Sequence, residues 1–275
     1  MKQVLTILIV VLPWGLKSQD IHFSQFYKST FFLNSSLLGF QKNDYKLTIQ
    51  RRSQWKSVAV PFNTFTASIE RTRLFKSNSL GIQFLNDIAG DARFKTTGLS
   101  AIYSKHFSMK KNGRLSLGVG FGFFQRQLSY DELIFNNQEY YNNISFWFPE
   151  INIGIGHEQK IFDSATLING ISFFHLNKAK QSLIENDNIR LDPKTNLHSM
   201  IEYFLNQKLT IKPRIFFSHQ NKQKETITAF DAEYFFTEST TLKSGLSYRW
   251  ADAVIYSFGA QINQIELVVS YDYNT

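Results

Sequence analysis

The chain has 275 residues, a net charge of +8 from 30 Lys and Arg against 22 Asp and Glu, 27 Phe, and no cysteine. Without cysteine there is no thiolate metal site and no thiol catalysis. The basic residues are scattered rather than gathered into the patch or stripe of a nucleic-acid surface, so nucleic acid is not expected and lipid head groups are the better match for that charge.

The chain opens with Lys2, an apolar run from Val4 to Leu12, and a small residue at Ser18. This reads as a signal peptide over residues 1–18, cleaved before Gln19. The run is too short to span a bilayer, and Pro13 breaks it. No other stretch is long and apolar enough to be a transmembrane helix, so any crossing must use strands. Residues 19–43 follow as an aromatic segment without clean alternation, holding Phe23, Phe26, Tyr27, Phe31, Phe32 and Phe40. A solvated tail does not tolerate so many aromatics. The segment is expected to lie as a plug against an inner wall or mouth, with a short first strand as the alternative.

Residues 44–275 alternate with a period of two, the signature of strands with one apolar face. Candidate strands cover 45–54 (Leu47, Ile49), 63–71 (Phe65, Ala67, Ile69), 80–86 (Leu80, Ile82, Phe84) and 97–107 (Leu99, Ala101, Tyr103). The cleanest is 114–124, with Leu115, Leu117, Val119, Phe121 and Phe123 on one face and Gly118, Gly120 and Gly122 on the other. Those glycines leave room behind the sheet, and Asn112-Gly113 marks a hairpin turn. Further strands cover 150–157, 166–174, 197–205, 209–217 and 226–236, with Pro213 tolerable near a rim or a bulge. Three more run almost without connectors from Thr241 to Tyr273. Residues 125–148 and 177–196 are the long connectors, where partner recognition is expected.

A soluble antiparallel sheet with one wet face would share this alternation. The leader and the strand lengths of nine or ten residues favour an all-β, transmembrane antiparallel barrel. Thirteen strands are visible, and single-chain bacterial barrels normally have an even number, so about fourteen are expected. Residues 144–148 and the 177–196 connector are the places for the missing one.

The chemistry is sparse. The six histidines, His22, His106, His157, His175, His198 and His219, show no metal-ligand spacing. His198 and Ser199 point to opposite faces of one strand, and no nucleophile elbow is present. Asp87 to Asp91 lacks the further acids of a calcium loop and reads as a turn. No catalytic residue, metal or cofactor is assigned, and the chain is read as non-enzymatic. Arg249 either pairs with Asp272 across the lumen or stands in solvent at the rim.

Several motifs occur in order along the mature chain. Gln19 to Tyr27 resembles the "QDPxFSQY" opening of PorP/SprF proteins, through Phe23, Ser24 and Gln25. Asn34 and Gly39 resemble its "FLNPAxxG", with Ser35 where proline is usual. Gln54 and Trp55 resemble "RxQW", and Asn86, Asp87 and Gly90 resemble "LGxxxxNDxxG". Tyr248 and Arg249 match "SYR", and Tyr271, Asp272 and Tyr273 match "YSYDY". Residues 125–196 match least. The resemblance implies a bacterial outer-membrane barrel tied to type IX secretion, and in some members to gliding motility. It also implies secretion components and a secreted adhesin as partners, and structural or partner-binding roles at those positions. A diffusive porin and an outer-membrane hydrolase are the rival readings.

Overall fold

The computed structural model describes residues 20–41, 43–54, 61–75, 77–90, 94–110, 112–130, 143–181 and 189–275. The leader reading and Trp55 lie outside these residues. A short irregular run comes first, with 3-10 turns at Phe26–Lys28 and Ser35–Leu37 around one helical turn, Thr30–Leu33. Thirteen strands follow: β1 (Tyr45–Gln54), β2 (Phe62–Leu74), β3 (Asn78–Ala89), β4 (Phe94–Met109), β5 (Gly113–Leu128), β6 (Ile144–Phe162), β7 (Ala165–Phe174), β8 (Lys194–Phe204), β9 (Leu209–Gln220), β10 (Gln223–Phe235), β11 (Thr240–Arg249), β12 (Ala253–Ile262) and β13 (Ile265–Asn274). They form one antiparallel sheet in sequence order.

The alternation sets the faces. In β5, Leu117, Val119, Phe121 and Phe123 are exposed on the outside, while Ser116 and Gly118 are buried inside. The same outward apolar row continues through Ile151, Ile153 and Ile155 of β6 and Leu242, Leu246 and Tyr248 of β11. Turn residues take the left-handed backbone that tight connections need: Asn112 before β5, Asn221 before β10 and Asn263 before β13 all have positive φ. Among the described residues no helix is long and apolar enough to cross a membrane. The outward apolar wall is the surface that would meet lipid.

The expected fourteenth strand is absent from the described residues. Residues 144–148 are not a separate strand but the start of β6, a 19-residue strand that runs on through Pro149. In the 177–196 connector the described residues hold one isolated bridge, Lys180 to Arg190, and the start of β8. Pro213 departs from expectation too. It sits inside β9, opposite Phe230, rather than at a rim. On its other side the β8–β9 ladder lapses between Met200↔Arg214 and Tyr203↔Ile211, because proline has no N–H to give. An ion pair from Lys212 to Glu202, 2.8 Å, bridges the lapse.

Short turns gather at one end of the sheet, at 75–77, 110–112, 163–164 and 263–264, and the long connectors lie at the other. β1 starts at the short-turn end. The sheet curls far enough for Arg52 on β1 to reach Asp272 on β13 at 3.1 Å, yet β1 and β13 share no ladder.

A lipid-facing arginine tests the faces. Val119→Arg should lower folded stability by about 2–4 kcal/mol near the midplane, read as lost heat-modifiable migration in detergent. The inward Gln50→Arg should be mild. Ser116 is no such neutral position, since its hydroxyl donates to the Ser36 carbonyl at 2.6 Å in a fully buried contact.

Candidate functional site

Residues 20–41 run inside the curled sheet, from the long-connector end towards the short-turn end. Their aromatic side chains make this the chain's most apolar interior. Phe26 stacks on Phe216 at 5.0 Å, and Leu33, Ile227 and Ala229 close that cluster. Phe31 and Leu38 pack on Ile102 of β4. Phe32 joins a second cluster with Leu85, Phe124 and Phe148.

The backbone of this segment is held by small polar side chains on the inner wall. Ser104 donates to the Leu38 carbonyl at 2.6 Å, Ser172 to the Leu33 carbonyl at 2.7 Å, and Asn196 to the Phe32 carbonyl at 3.0 Å. The turns of the segment satisfy some of its carbonyls, and single inward side chains on β4, β7 and β8 supply donors to others. Glycine makes the close approach possible. A Cβ on Gly118 would strike the backbone of Ser35 and Ser36, and one on Gly156 would strike the Ser36 hydroxyl. Gly120 and Gly122 serve otherwise, since their space is taken by Asn152 and Phe124 of the wall itself.

Asn34 is the centre of this contact. Its amide nitrogen lies 3.1 Å from the Ile155 carbonyl, 3.2 Å from the Ile171 carbonyl and 3.1 Å from His198 Nε2. Its side-chain oxygen accepts from the Ser36 N–H at 2.9 Å and the Ser36 hydroxyl at 2.7 Å. The residue is fully buried. One side chain thus ties the segment to β6, β7 and β8.

Most of the inward charge lies on β9, β10, β11 and β13, whereas the wall from β4 to β8 holds the segment through small or neutral side chains. Tyr27 donates to Asp231 at 3.0 Å and lies under the Arg214 guanidinium. Lys28 pairs with Glu266, which also pairs with Lys243; Glu233 binds Lys243 at 3.2 Å and Lys212 at 2.8 Å. Towards the other end, Arg249 meets Glu225 at 3.2 Å, Asp252 at 2.7 Å and Asp272 at 2.9 Å. Asp272 also receives Arg52, whose other nitrogen donates to the His22 carbonyl. The Arg249–Asp272 pair expected from the sequence is present, but it passes along the wall over β12 rather than across the lumen, and the alternative of a solvated rim is overturned because Arg249 is buried.

The start of the segment is clamped by charge. Asp20 lies 2.6 Å from His175 and 3.6 Å from Lys194, and Glu150 lies 3.4 Å from the other His175 nitrogen. Burial alone would raise the Asp20 carboxyl, but His175 and Lys194 hold it well below the usual range. Burial works to lower His175, and the Asp20 and Glu150 carboxylates overcome it, raising the imidazole to about 9. The Asp20 share of the clamp is present above its unfolded value near 3.8 and is lost as pH falls through the depressed folded value. The His175 share is full below 6.5 and is lost as pH rises through about 9. Protection of residues 20–23 from protease should therefore be greatest from about pH 4 to pH 6.5 and should decline as pH rises towards 9. His175→Phe should remove the alkaline loss.

A family model described as type IX secretion system membrane protein PorP/SprF matches residues 15–275. The chain belongs to the PorP/SprF family. Among solved structures it is similar to the translocator domain of the autotransporter NalP from Neisseria meningitidis, with 11% identity and a TM-score of 0.48 over 86% of this chain and 91% of that one. It is also similar to two mutant forms of the ferric enterobactin receptor from Pseudomonas aeruginosa, with 9% and 10% identity and TM-scores of 0.45 and 0.40, each over 82% of this chain and 45% of that one. No curated protein matches the chain.

The PorP/SprF motif positions do not converge on one place. Phe23, Ser24, Asn34 and Gly39 lie in the inner segment, where Phe23 packs on Phe32 at 5.5 Å and Gly39 turns at φ +92° while its carbonyl accepts from Arg114 at 3.0 Å. The Gln25 carbonyl closes the first turn by accepting from the Lys28 N–H at 3.0 Å. Gln54 ends β1. Asp87 accepts from Thr64 at 2.6 Å, Asn86 accepts from Thr97 at 3.0 Å, and Gly90 turns the chain at φ +67°. Arg249 and Asp272 form the inward ion pair described above, while Tyr248, Tyr271 and Tyr273 are exposed on the outer face. The motifs missed other residues that hold the PorP/SprF segment: Ser104, Ser172, Asn196, Gly156 and Gly170. Their sequence signal is a glycine or a short polar side chain on the inward parity of β4, β6, β7 and β8.

Proposed function

We propose that this PorP/SprF chain is a bacterial outer-membrane barrel that serves type IX secretion or the surface anchoring of a secreted adhesin, in a setting that can include gliding motility. Support comes from the family match over residues 15–275. The observation that carries the choice against a diffusive porin is the filled interior. Residues 20–41 occupy the space a solute would need, pinned by Asn34 to three strands and by serine donors to two more. A porin keeps an open aqueous lumen; this segment acts as a plug. The rim connectors supply recognition, and at least one of 129–143 and 175–193, which are what the strands leave of the two expected connectors, contacts the partner. Residues 131–142 and 182–188 of those connectors lie outside the described residues.

The experiment compares surface proteins and uptake in cells with and without the chain. Loss of one or a few exported surface proteins, with small-solute uptake unchanged, is the expected result. Unchanged surface proteins together with slowed solute uptake would replace this reading with the porin. Exchange of both connectors for those of a relative should redirect which surface protein is lost.

A further inference from the structure

The strand number leaves a seam. Twelve successive antiparallel pairings make β1 and β13 run in the same direction, and no ladder joins them. Their outward side chains are barer than those of interior strands. Leu47 on β1 is 71% exposed and Leu267 on β13 is 72%, against 45% for Leu117 and 46% for Val119 on β5. Among the described residues each edge therefore lacks a neighbour on one side, and each carries ten residues. In a membrane an unpaired row of backbone N–H and C=O groups is costly and does not persist facing lipid.

What crosses the seam is side chains on the inner face. Arg52 reaches Asp272 at 3.1 Å, 220 residues on, and Lys28 joins the Lys46 side chain to Glu266 in the same register. The reach has an internal measure. Arg249 meets the same Asp272 carboxylate at 2.9 Å while passing over β12. Asp272 thus receives one arginine across an occupied strand and another across the seam. An arginine at this carboxylate can therefore bridge the width of one strand, and Arg52 has the same reach.

We propose that the seam between β1 and β13 is a docking slot for a single extended strand of a partner polypeptide. The proposal rests on the reading of the wall as membrane-spanning, and concerns a contact the family match does not assign. The occupant is about ten residues long, to match the two edges. It runs antiparallel to both, which turns an open thirteen-stranded sheet into a closed, even and wholly antiparallel barrel. Its outward residues are large and apolar, continuing the row of Leu47, Ile49, Leu267 and Val269. Its inward residues are small and uncharged. The cations of β1 and the anions of β13 are already paired to each other, and the Arg52–Asp272 bridge must pass over the strand as Arg249 passes over the fully buried Ala253. Residues 22–28 lie behind the seam and close it towards the lumen, so the strand enters from the membrane side or from an end.

The chain has no cysteine of its own, so a pair placed on the edges reports cleanly. Thr48→Cys with Val268→Cys puts two inward thiols in the register of Arg52 and Asp272. Directly paired strands would bring them within disulfide reach, whereas a strand-wide gap holds them about 10 Å apart. In membranes of expressing cells the expected result is no disulfide on oxidation and efficient linking by a bis-maleimide of that length. A disulfide in most heat-modifiable molecules would overturn the proposal, because the edges would then pair with each other. The unaltered chain in phospholipid nanodiscs gives the second measurement. A synthetic peptide copying Ala253–Ile262, whose original pairs with β13, should slow amide exchange in β1 and β13 roughly tenfold and leave β5 unchanged. The same peptide with two prolines should do nothing. Unchanged exchange with the first peptide also overturns the slot. Neither outcome bears on whether the chain serves secretion, which is read from surface proteins.

Discussion

Deleting residues 19–32 while keeping residues 1–18 should yield a barrel that still inserts and conducts ions on the order of tenfold better than the intact chain in a planar bilayer. A wall of thirteen described strands is wider than the eight-stranded one that side chains alone can fill, and narrower than the roughly sixteen-stranded wall of an open porin. What fills the difference here is the inner segment. Gly118→Leu is the sharper form of the same test. It changes no wall hydrogen bond, but its side chain must enter the space of the Ser35 and Ser36 backbone. It should also raise conductance and expose residues 20–41 to protease. A deletion that assembles and conducts no better than the parent would sink the plug. A deletion that fails to assemble would point instead to a segment needed for folding of the wall, though not as its first strand, since the run is turns and one helical turn.

The second large effect is expected at Arg249. Three carboxylates, Glu225, Asp252 and Asp272, converge on its guanidinium. Asp272 keeps Arg52, and Asp252 is half exposed, but Glu225 faces mainly Arg249. Arg249→Met should cost about 3–5 kcal/mol, because an uncompensated buried charge remains. Adding Glu225→Leu should recover a good part of that loss. Arg249→Lys should fall between them, since a single ammonium cannot serve three carboxylates in the guanidinium geometry. Urea midpoints of the refolded chain in detergent give the measurement. Equal loss in the single and double variants would show that Glu225 is not the group left unpaired.

The two effects act on different halves of the molecule, which bears on how its function is divided. Strands β4 to β8 offer glycine and serine, and grip the segment through its backbone. Strands β9, β10, β11 and β13 offer ion-paired charge and grip it through Tyr27 and Lys28, while Phe216 and Ile227 hold Phe26. The backbone grip does not depend on pH, whereas the clamp of Asp20 by His175 and Lys194 at the long-connector end does. The end of the segment nearest the rim is therefore the part that conditions can loosen, while Asn34 holds its middle.

By itself the sequence determined the wall. A period of two is local, so the faces of β5 or β12 follow from ten residues read in isolation, and β1, from Tyr45 to Gln54, falls on its predicted bounds. It also showed that residues 19–43 are too aromatic for a solvated tail. What those side chains touch was decided only by tertiary structure. Asn34 bonds to residues 121 to 164 positions away, and no local pattern marks Ile155, Ile171 or His198 as its partners. The glycines of β5 signalled space, but only the fold assigned Gly118 to the segment and Gly120 and Gly122 to neighbouring side chains. Periodicity yielded a count of thirteen, while a rule about even numbers pulled the expectation to fourteen. The described residues keep thirteen, with residues 20–41 inside the sheet and a seam between β1 and β13, because closure depends on how two edges 220 residues apart meet.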